Sequence, residues 1–206
     1  MVEQEEVRVE RARAEHAPRL AALLATSGHG CYCRYWHFAG NHREWLARCA
    51  HAPEENRAEL LAAAEAGSEQ AAGMVAEDDG GAIIGWLKLA PARSLGKIYE
   101  QRLYKGLPCL QRDPEGVLTV GCLFVREDAR RRGVASALLR GAIAAARAEG
   151  ARAIEAFPRS DTDVADAALM MGPLAPFLRS GFEIVHDFSP YPVLRLQLGA
   201  PPEARA

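Results

Sequence analysis

One stretch of this 206-residue sequence decides the fold, and it reads Leu123-Phe124-Val125-Arg126-Glu127-Asp128-Ala129-Arg130-Arg131-Arg132-Gly133-Val134-Ala135-Ser136-Ala137-Leu138-Leu139. It begins at the end of an almost continuous apolar segment over 117–125, which predicts a strand buried on both faces and therefore central in its sheet. Apolar residues at Leu138, Leu139 and Ile143 then predict one face of a helix over 133–149. The stretch thus predicts a buried strand joined to a helix by a short basic turn.

The turn before this helix is predicted to bind phosphate. Backbone N–H groups at a helix start have no partner in the helix, and the helix dipole adds positive charge there. Gly133 and Ala135 leave the backbone open to a ligand, and three consecutive arginines offer bidentate hydrogen bonds. The alternative is a solvated arginine turn. Other phosphate motifs do not fit, since the chain has no G-x-G-x-x-G, and Gly96-Lys97 lacks the remaining residues of a P-loop.

Working outward, alternating polarity, helical periodicity and turn residues predict the other elements. Strands are predicted at 7–11, 70–76, 82–89, 152–157, 182–186 and 193–198, and helices at 15–26, 43–49, 53–66, 94–104 and before Ser180-Gly181. The hairpin at 70–89 requires antiparallel pairing, whereas the strand–helix–strand unit at 117–157 requires a parallel pair. The predicted fold class is therefore α/β (α+β), a central mixed β-sheet flanked by helices on both faces. We expect a single domain over 1–198 and a disordered tail over 199–206.

The strand followed by Arg130-x-x-Gly133-x-Ala135 resembles the acetyl-CoA signature of the GNAT superfamily of N-acetyltransferases. The likeness is best over 117–158 and extends to Gly181-Phe182, and the Cys31-x-Cys33 segment resembles a bacterial subgroup. The resemblance implies a GNAT-like fold with acetyl-CoA as cosubstrate, and an acetyl group moved to a primary amine by direct attack on the thioester. It also implies two sets of cofactor-binding residues, for pantetheine Leu123, Phe124 and Val125, and for pyrophosphate Arg130, Arg131, Arg132, Gly133, Val134, Ala135 and Ser136.

Two positions bear on catalysis. Glu155 is the candidate general base, because a carboxylate on the strand beside the cleft would be partly desolvated; the alternative is a structural ion pair with Arg152 or Arg195. Phe177 stands where many relatives carry a tyrosine acid. This departure keeps open a non-catalytic acyl-CoA-binding module as the alternative function.

The segment after the first helix is rich in cysteine, histidine and aromatic residues. The resemblance implies that it walls the acceptor pocket, where Tyr32, Tyr35, Trp36 and His37 would hold an amine by cation–π contact; the alternative is packing. A zinc-stapled interaction protein is a further reading, but Cys-x-Cys places two ligands on opposite sides of an extended chain, so we predict no metal site. Cys122 is predicted to be a small core residue.

The composition of the chain limits the classes of partner that we expect it to bind. A net charge of −2 gives no reason to expect nucleic acid. No apolar run approaches the roughly 20 residues that span a bilayer, and the acidic start is unlike a signal peptide, so we expect no membrane partner. For the same reason we expect a cytoplasmic protein. Five cysteines are an odd number, which argues against a complete disulfide framework. The expected partner is a small-molecule or protein amine, and the resemblance allows a homodimer.

Overall fold

The computed structural model describes residues 7–160 and 170–199. They form a seven-stranded sheet in the order β1-β2-β3-β4-β5-β7-β6, in which β4 and β5 are parallel and every other neighbouring pair is antiparallel. The strands are β1 Arg8–Arg11, β2 Gly73–Glu77, β3 Ile83–Pro91, β4 Val117–Val125, β5 Ala153–Ala156, β6 Glu183–His186 and β7 Val193–Gln197. The predicted mixed sheet is confirmed, and β4 is its central strand.

Six α-helices occur in the described part of the chain: α1 Ala17–Ala25, α2 His42–His51, α3 Pro53–Glu65, α4 Gly96–Tyr99, α5 Val134–Ala148 and α6 Leu174–Arg179. The predicted helix over 94–104 is wrong in its length, since only one α-helical turn forms there. Ile98 and Tyr104 are both buried. A straight helix would put residues six apart about 120° from each other around its axis, and the chain instead leaves the helix after Tyr99 and turns before Tyr104. The predicted tail over 199–206 lies outside the described residues, apart from Gly199.

Helices cover both faces of the sheet. On one face, Leu138, Leu139 and Ala142 of α5 pack against a core that includes Val120 and Ile154. On the other face, α1 and α3 cover Val75 and Trp86. Phe157 belongs to a neighbouring cluster around α4. No helix among the described residues is long and apolar enough to cross a membrane.

A β-bulge in β4 and the early end of its pairing with β5 shape the centre of the sheet. Along β3 and β4, Lys88 pairs with Cys122 but Leu89 pairs with Val120, so Gly121 is an extra residue on β4. β5 pairs with β4 only over Val117–Thr119. The second half of the central strand therefore has a sheet partner on one side, β3, and faces other parts of the chain on the other side.

Gly85 allows α5 to approach β3 closely, because a Cβ at this position would lie 2.8 Å from Val134 Cγ1 and 2.9 Å from Leu138 Cδ1. We expect Gly85→Val to lower the free energy of unfolding by about 1–3 kcal/mol, since extra atoms in a packed core force shifts. The matched control is Gly96→Ala. A Cβ there meets nothing within 4 Å and the residue is helical, so it should stabilise by about 0.4–1 kcal/mol. Urea denaturation measures both, and equal stability of the two variants would contradict the packing argument.

Candidate functional site

A cleft of about 830 Å³ opens where β4 leaves β5. Nine of the ten residues predicted to bind the cofactor line it: Leu123, Phe124, Val125, Arg130, Arg131, Gly133, Val134, Ala135 and Ser136. Arg132 is exposed and does not belong to the lining. Sequence reasoning missed the wall provided by Pro173, Pro176 and Arg179, because the pattern of this segment predicts a helix but not which of its residues border the cleft.

The turn at the head of α5 has the geometry of an anion site. Gly133 has φ +86° and Arg131 has φ +58°, so the chain turns through two left-handed residues before the helix begins. The first helical hydrogen bond runs from Ala137 N to Gly133 O at 2.9 Å, which leaves the N–H groups of Val134, Ala135 and Ser136 without helical acceptors. The first turn carries no acidic residue. The positive end of the helix dipole therefore faces the cleft uncompensated by a carboxylate of that turn.

Backbone alternation shows which groups of β4 face the cleft. Arg126 N donates to Ile84 O on the β3 side at 2.9 Å. Because N–H directions alternate along a strand, the N–H of Phe124 also points to β3, whereas those of Leu123 and Val125 point to the cleft. Leu123 and Val125 can therefore donate to a ligand in the cleft through their N–H groups, and Phe124 cannot.

A short segment lies in the gap between β4 and the end of β5. Leu123 N donates to Met170 O at 3.1 Å, and Arg159 N donates to Gly172 O at 3.1 Å. Gly172 has φ +85°, and a Cβ there would lie 2.8 Å from Leu123 Cδ2. A ligand that pairs with the Leu123 N–H must therefore take the place of the Met170 carbonyl.

The structure places Glu155 in a buried ion pair. This carboxylate is 3% exposed and pairs with Arg195, one of the two arginines that the sequence left open as structural partners. It also accepts a hydrogen bond from the Tyr99 hydroxyl at 2.6 Å, and that hydroxyl lies 2.5 Å from Thr119 Oγ1. Burial and the charge of Glu155 raise the pKa of Tyr99, so the phenol stays protonated.

Glu155 lines a different cavity from the predicted cofactor residues. Glu155, Tyr99 and Arg195 border a space of about 280 Å³ near the start of β4, and none of the described residues lines both this space and the larger cleft. The geometry favours the structural alternative for Glu155, because its carboxylate already serves a guanidinium and a phenol.

Two aromatic side chains of the segment after α1, Tyr35 and Trp36, make polar or charged contacts with other parts of the chain. Trp36 Nε1 donates to Gly121 O at 2.6 Å and so holds the bulge of β4. The Lys97 ammonium lies 4.3 Å from the centroid of the Tyr35 ring, which gives that ring a cation–π partner from the chain itself. Burial and the charges of Lys88 and Arg34 lower the pKa of His37 to about 3. Tyr32 packs against the core under α1. Packing accounts for the contacts of Tyr32, Tyr35 and Trp36, whereas His37 is neutral at pH 7 and its Nε2 is buried without a hydrogen-bond partner among the described residues. A role of these residues in an acceptor pocket stays a prediction.

The cysteines and histidines of this segment do not converge into a group of three ligand atoms within residues 7–160 and 170–199. The group with metal-like spacing there is Glu10, His16 and Glu77, whose ligand atoms lie within 4.8 Å of one another. Arg8 and Arg19 already contact Glu77 at 2.9 and 2.6 Å. These carboxylates are therefore explained by ion pairs.

Comparisons with known proteins agree with this geometry. The family model described as Acetyltransferase (GNAT) family matches residues 31–172. A search among curated proteins gave no match. Solved structures that are 15–18% identical to this chain confirm the GNAT-like fold. A likeness at this level of identity shows the fold alone.

Three of these structures illustrate the likeness. An N-acetyltransferase from Kribbella flavida is 18% identical with a TM-score of 0.56, covering 94% of this chain and 99% of its own. The putative acetyltransferase yncA from Salmonella typhimurium, solved with acetyl-CoA, is 15% identical with a TM-score of 0.53, covering 96% and 99%. The GNAT family protein YhbS from Escherichia coli, solved with CoA, is 18% identical with a TM-score of 0.53, covering 94% and 82%.

A double-mutant cycle tests the structural role of Glu155. We expect Glu155→Gln to lower the free energy of unfolding by about 3–5 kcal/mol, because it leaves the buried Arg195 guanidinium without an anion. Arg195→Met should cost a similar amount, and the double variant should cost clearly less than the sum. The control is Arg152→Ala, whose half-exposed side chain donates to the Glu115 carbonyl at 2.8 Å and should change stability by about 1 kcal/mol or less. Additive losses, or a stable Glu155→Gln, would contradict the ion-pair role and return Glu155 to the catalytic candidates.

Proposed function

The chain belongs to the Acetyltransferase (GNAT) family, and from this premise we propose that it transfers the acetyl group of acetyl-CoA to a primary amine. One observation carries the proposal: the helix N-terminus at Gly133 and the part of β4 that β5 does not cover line the same cleft. The first offers N–H groups to phosphate and the second offers them to an amide-containing chain. CoA contains both chemical features in one molecule.

The pyrophosphate belongs at the head of α5. The N–H groups of Val134, Ala135 and Ser136 are the available donors, and Arg130, Arg131 and Arg179 border the same space. Arg130 Nε donates to Val125 O at 3.1 Å, which joins the turn to the end of the strand. This bond fixes the distance between the phosphate end and the pantetheine end of the proposed site.

The pantetheine arm belongs along β4. Leu123 and Val125 turn their N–H groups toward the cleft, and the Leu123 N–H is already paired with the Met170 carbonyl. Binding would exchange one acceptor for another, because a buried N–H without an acceptor is costly. Leu123 is also the residue that could donate to a thioester carbonyl, where a backbone N–H stabilises developing negative charge.

The reaction makes a modest demand on proton transfer. An alkylamine with a pKa near 10.4 must lose a proton to become a nucleophile. After attack, the nitrogen gives up one further proton as the amide forms, and the departing thiolate needs one. Phe177 is fully buried against Phe182 and has no proton to donate, but the balance is met without it. Its presence therefore does not exclude turnover.

A non-catalytic acyl-CoA-binding module is the second candidate. Two observations favour it: Phe177 replaces a potential acid, and Glu155 is held by Arg195. Both functions require the same cofactor site, so they differ only in whether an amine accelerates thiol release.

A matched pair of substitutions tests the cofactor site. Asn and Asp both tolerate a left-handed backbone and have nearly the same shape, so Gly133→Asn and Gly133→Asp differ mainly in charge. In calorimetric titration with acetyl-CoA, we expect the Asp variant to bind at least about tenfold more weakly than the Asn variant, because a carboxylate at the helix N-terminus repels phosphate.

The control for this pair is Arg132→Ala, which should bind like the wild type because Arg132 does not line the cleft. Equal affinity of the Asn and Asp variants, or no binding by the wild type, would show that the turn does not hold the cofactor.

Thiol release tests turnover. With acetyl-CoA and a panel of primary amines, we expect release of CoA thiol in proportion to acetylated amine, both followed by mass spectrometry. Below the amine pKa the rate should rise with pH, because the neutral fraction of the amine grows about tenfold per pH unit. Tight cofactor binding without amine-dependent release from any amine in the panel would favour the non-catalytic module.

A further inference from the structure

Three titratable side chains that the proposed transfer does not use meet beneath the central strands. Lys88 on β3 is 1% exposed and pairs across the sheet with Cys122 on β4. Cys33 comes from the segment after α1 and is 6% exposed. Trp86 Nε1 donates to Cys33 Sγ at 3.3 Å, and Cys122 packs against the same cluster of side chains as Cys33. The two thiols, 89 residues apart in sequence, thus lie in one cluster.

The burial of Lys88 calls for a negative partner. Its ammonium donates to the Gln70 carbonyl at 2.7 Å, but a neutral acceptor does not compensate a buried charge. Burial lowers the pKa of Lys88, and the charge of Arg34 lowers it too, whereas the charges of Cys33 and Cys122 oppose this effect. Arg34 is itself a cation, paired with Glu59 at 3.2 Å. A cysteine thiolate is therefore the anion that can balance Lys88.

The surroundings single out Cys33 as that thiolate. Hydrogen bonding from Cys122, the charge of Lys88 and the Trp86 N–H lower the pKa of the Cys33 thiol to about 6 against the opposing effect of burial. The same pairing and burial raise the pKa of Cys122. At neutral pH the pair consists of one thiolate and one thiol, which is the combination that dithiol chemistry requires.

The backbone conformation at Tyr32 and Cys33 is independent evidence that the surrounding structure enforces the position of the Cys33 side chain. Tyr32 and Cys33 have φ +43° and +59°, two consecutive non-glycine residues in the left-handed region. Such conformations persist only where the surrounding structure enforces them, and they concentrate at functional positions. Here the two residues turn the Cys33 side chain inward onto Trp86.

We propose that Cys33 and Cys122 form a peroxide-sensitive dithiol that closes to an intramolecular disulfide. The Cys33 thiolate attacks a hydroperoxide, with uptake of one proton, to give a sulfenic acid and release water or an alcohol. The Cys122 thiol then attacks that sulfur, forming the S–S bond and releasing water. Two thiols give up two electrons, and the hydroperoxide accepts them.

The disulfide would join the segment after α1 to β4 next to the β-bulge at Gly121. Cys122 adjoins Gly121, whose carbonyl is held by Trp36 of the same segment. All five cysteines are free in the structure, as expected for the reduced state in a reducing compartment.

Other cysteines provide matched controls. Burial raises the pKa of Cys31 to about 11, so this neighbour of Cys33 stays a thiol. Burial also raises the pKa of Cys49 and of Cys109. Cys33 is buried and the other four cysteines are half-buried, so exposure alone would favour the others. We expect Cys33 to oxidise at least about tenfold faster than Cys31 all the same, because the thiolate is the reactive form.

The test uses the full-length protein and hydrogen peroxide at near-stoichiometric amount, followed by denaturation, alkylation and mass spectrometry. We expect three alkylated cysteines instead of the five in the sequence, a Cys33–Cys122 linked peptide, and full reversal by a thiol reductant. Cys31→Ser should oxidise like the wild type, with two alkylated cysteines. Cys122→Ser should stop at a sulfenic acid on Cys33 that dimedone traps.

Five alkylated cysteines after peroxide treatment of the folded wild type would overturn the proposal, as would a link between Cys31 and Cys33. The wild-type measurement decides the matter even if a variant does not fold. It does not depend on acetyl transfer, so its outcome is separate from that of the proposed function.

Discussion

The parallel pairing of β4 with β5 ends after three residues, and the rest of the site depends on this early end. A central strand normally has its N–H and C=O groups paired on both sides, because unpaired buried backbone groups are costly. Here the last register pair is Thr119 with Glu155. Beyond it, the free edge of β4 obtains partners from elsewhere: Met170 O accepts from Leu123 N, and Arg130 Nε donates to Val125 O. Both partners are loop groups, which a ligand can replace more readily than a strand.

The paired half of β4 is fixed by side chains at the same boundary. Tyr99 joins Thr119 and Glu155 through hydrogen bonds from one hydroxyl, and Arg195 binds Glu155 from β7. This network joins α4 to three neighbouring strands, β4, β5 and β7. On the other side of the boundary, Trp36 holds the bulge at Gly121. These contacts therefore hold the strands together up to the last β4–β5 register pair, and the cleft begins beyond that pair.

The sequence predicts the parts of this arrangement that have local causes. The apolar run of β4 and the periodicity of α5 are strong local patterns, and both elements lie within a residue of the predicted bounds. The partner of Glu155 remained open because Arg195 is 40 residues away and nothing local favours it over Arg152. The sequence predicts Trp36 in a pocket wall or in side-chain packing, since an indole gives no sign in sequence that its N–H donates to a distant carbonyl. Met170 and Cys122 show the same limit: their contacts arise from tertiary register, which no pattern within either segment contains.

On the proposed function, the two ends of the cleft contribute differently to binding. At the strand end, a ligand carbonyl replaces the Met170 carbonyl on the Leu123 N–H, so the number of hydrogen bonds does not change and the net gain is small. At the helix end, the N–H groups of Val134, Ala135 and Ser136 have no helical acceptors, and a phosphate there meets a positive dipole and arginines. Affinity should therefore come mainly from the turn, and the strand should mainly set where the thioester lies. Because Arg130 ties the turn to Val125, a ligand held by its phosphates is also placed in register along β4. Because the β4–β5 pairing ends early, a cofactor that binds at the turn through its phosphates also has its thioester positioned along β4. Transfer to an amine requires such positioning.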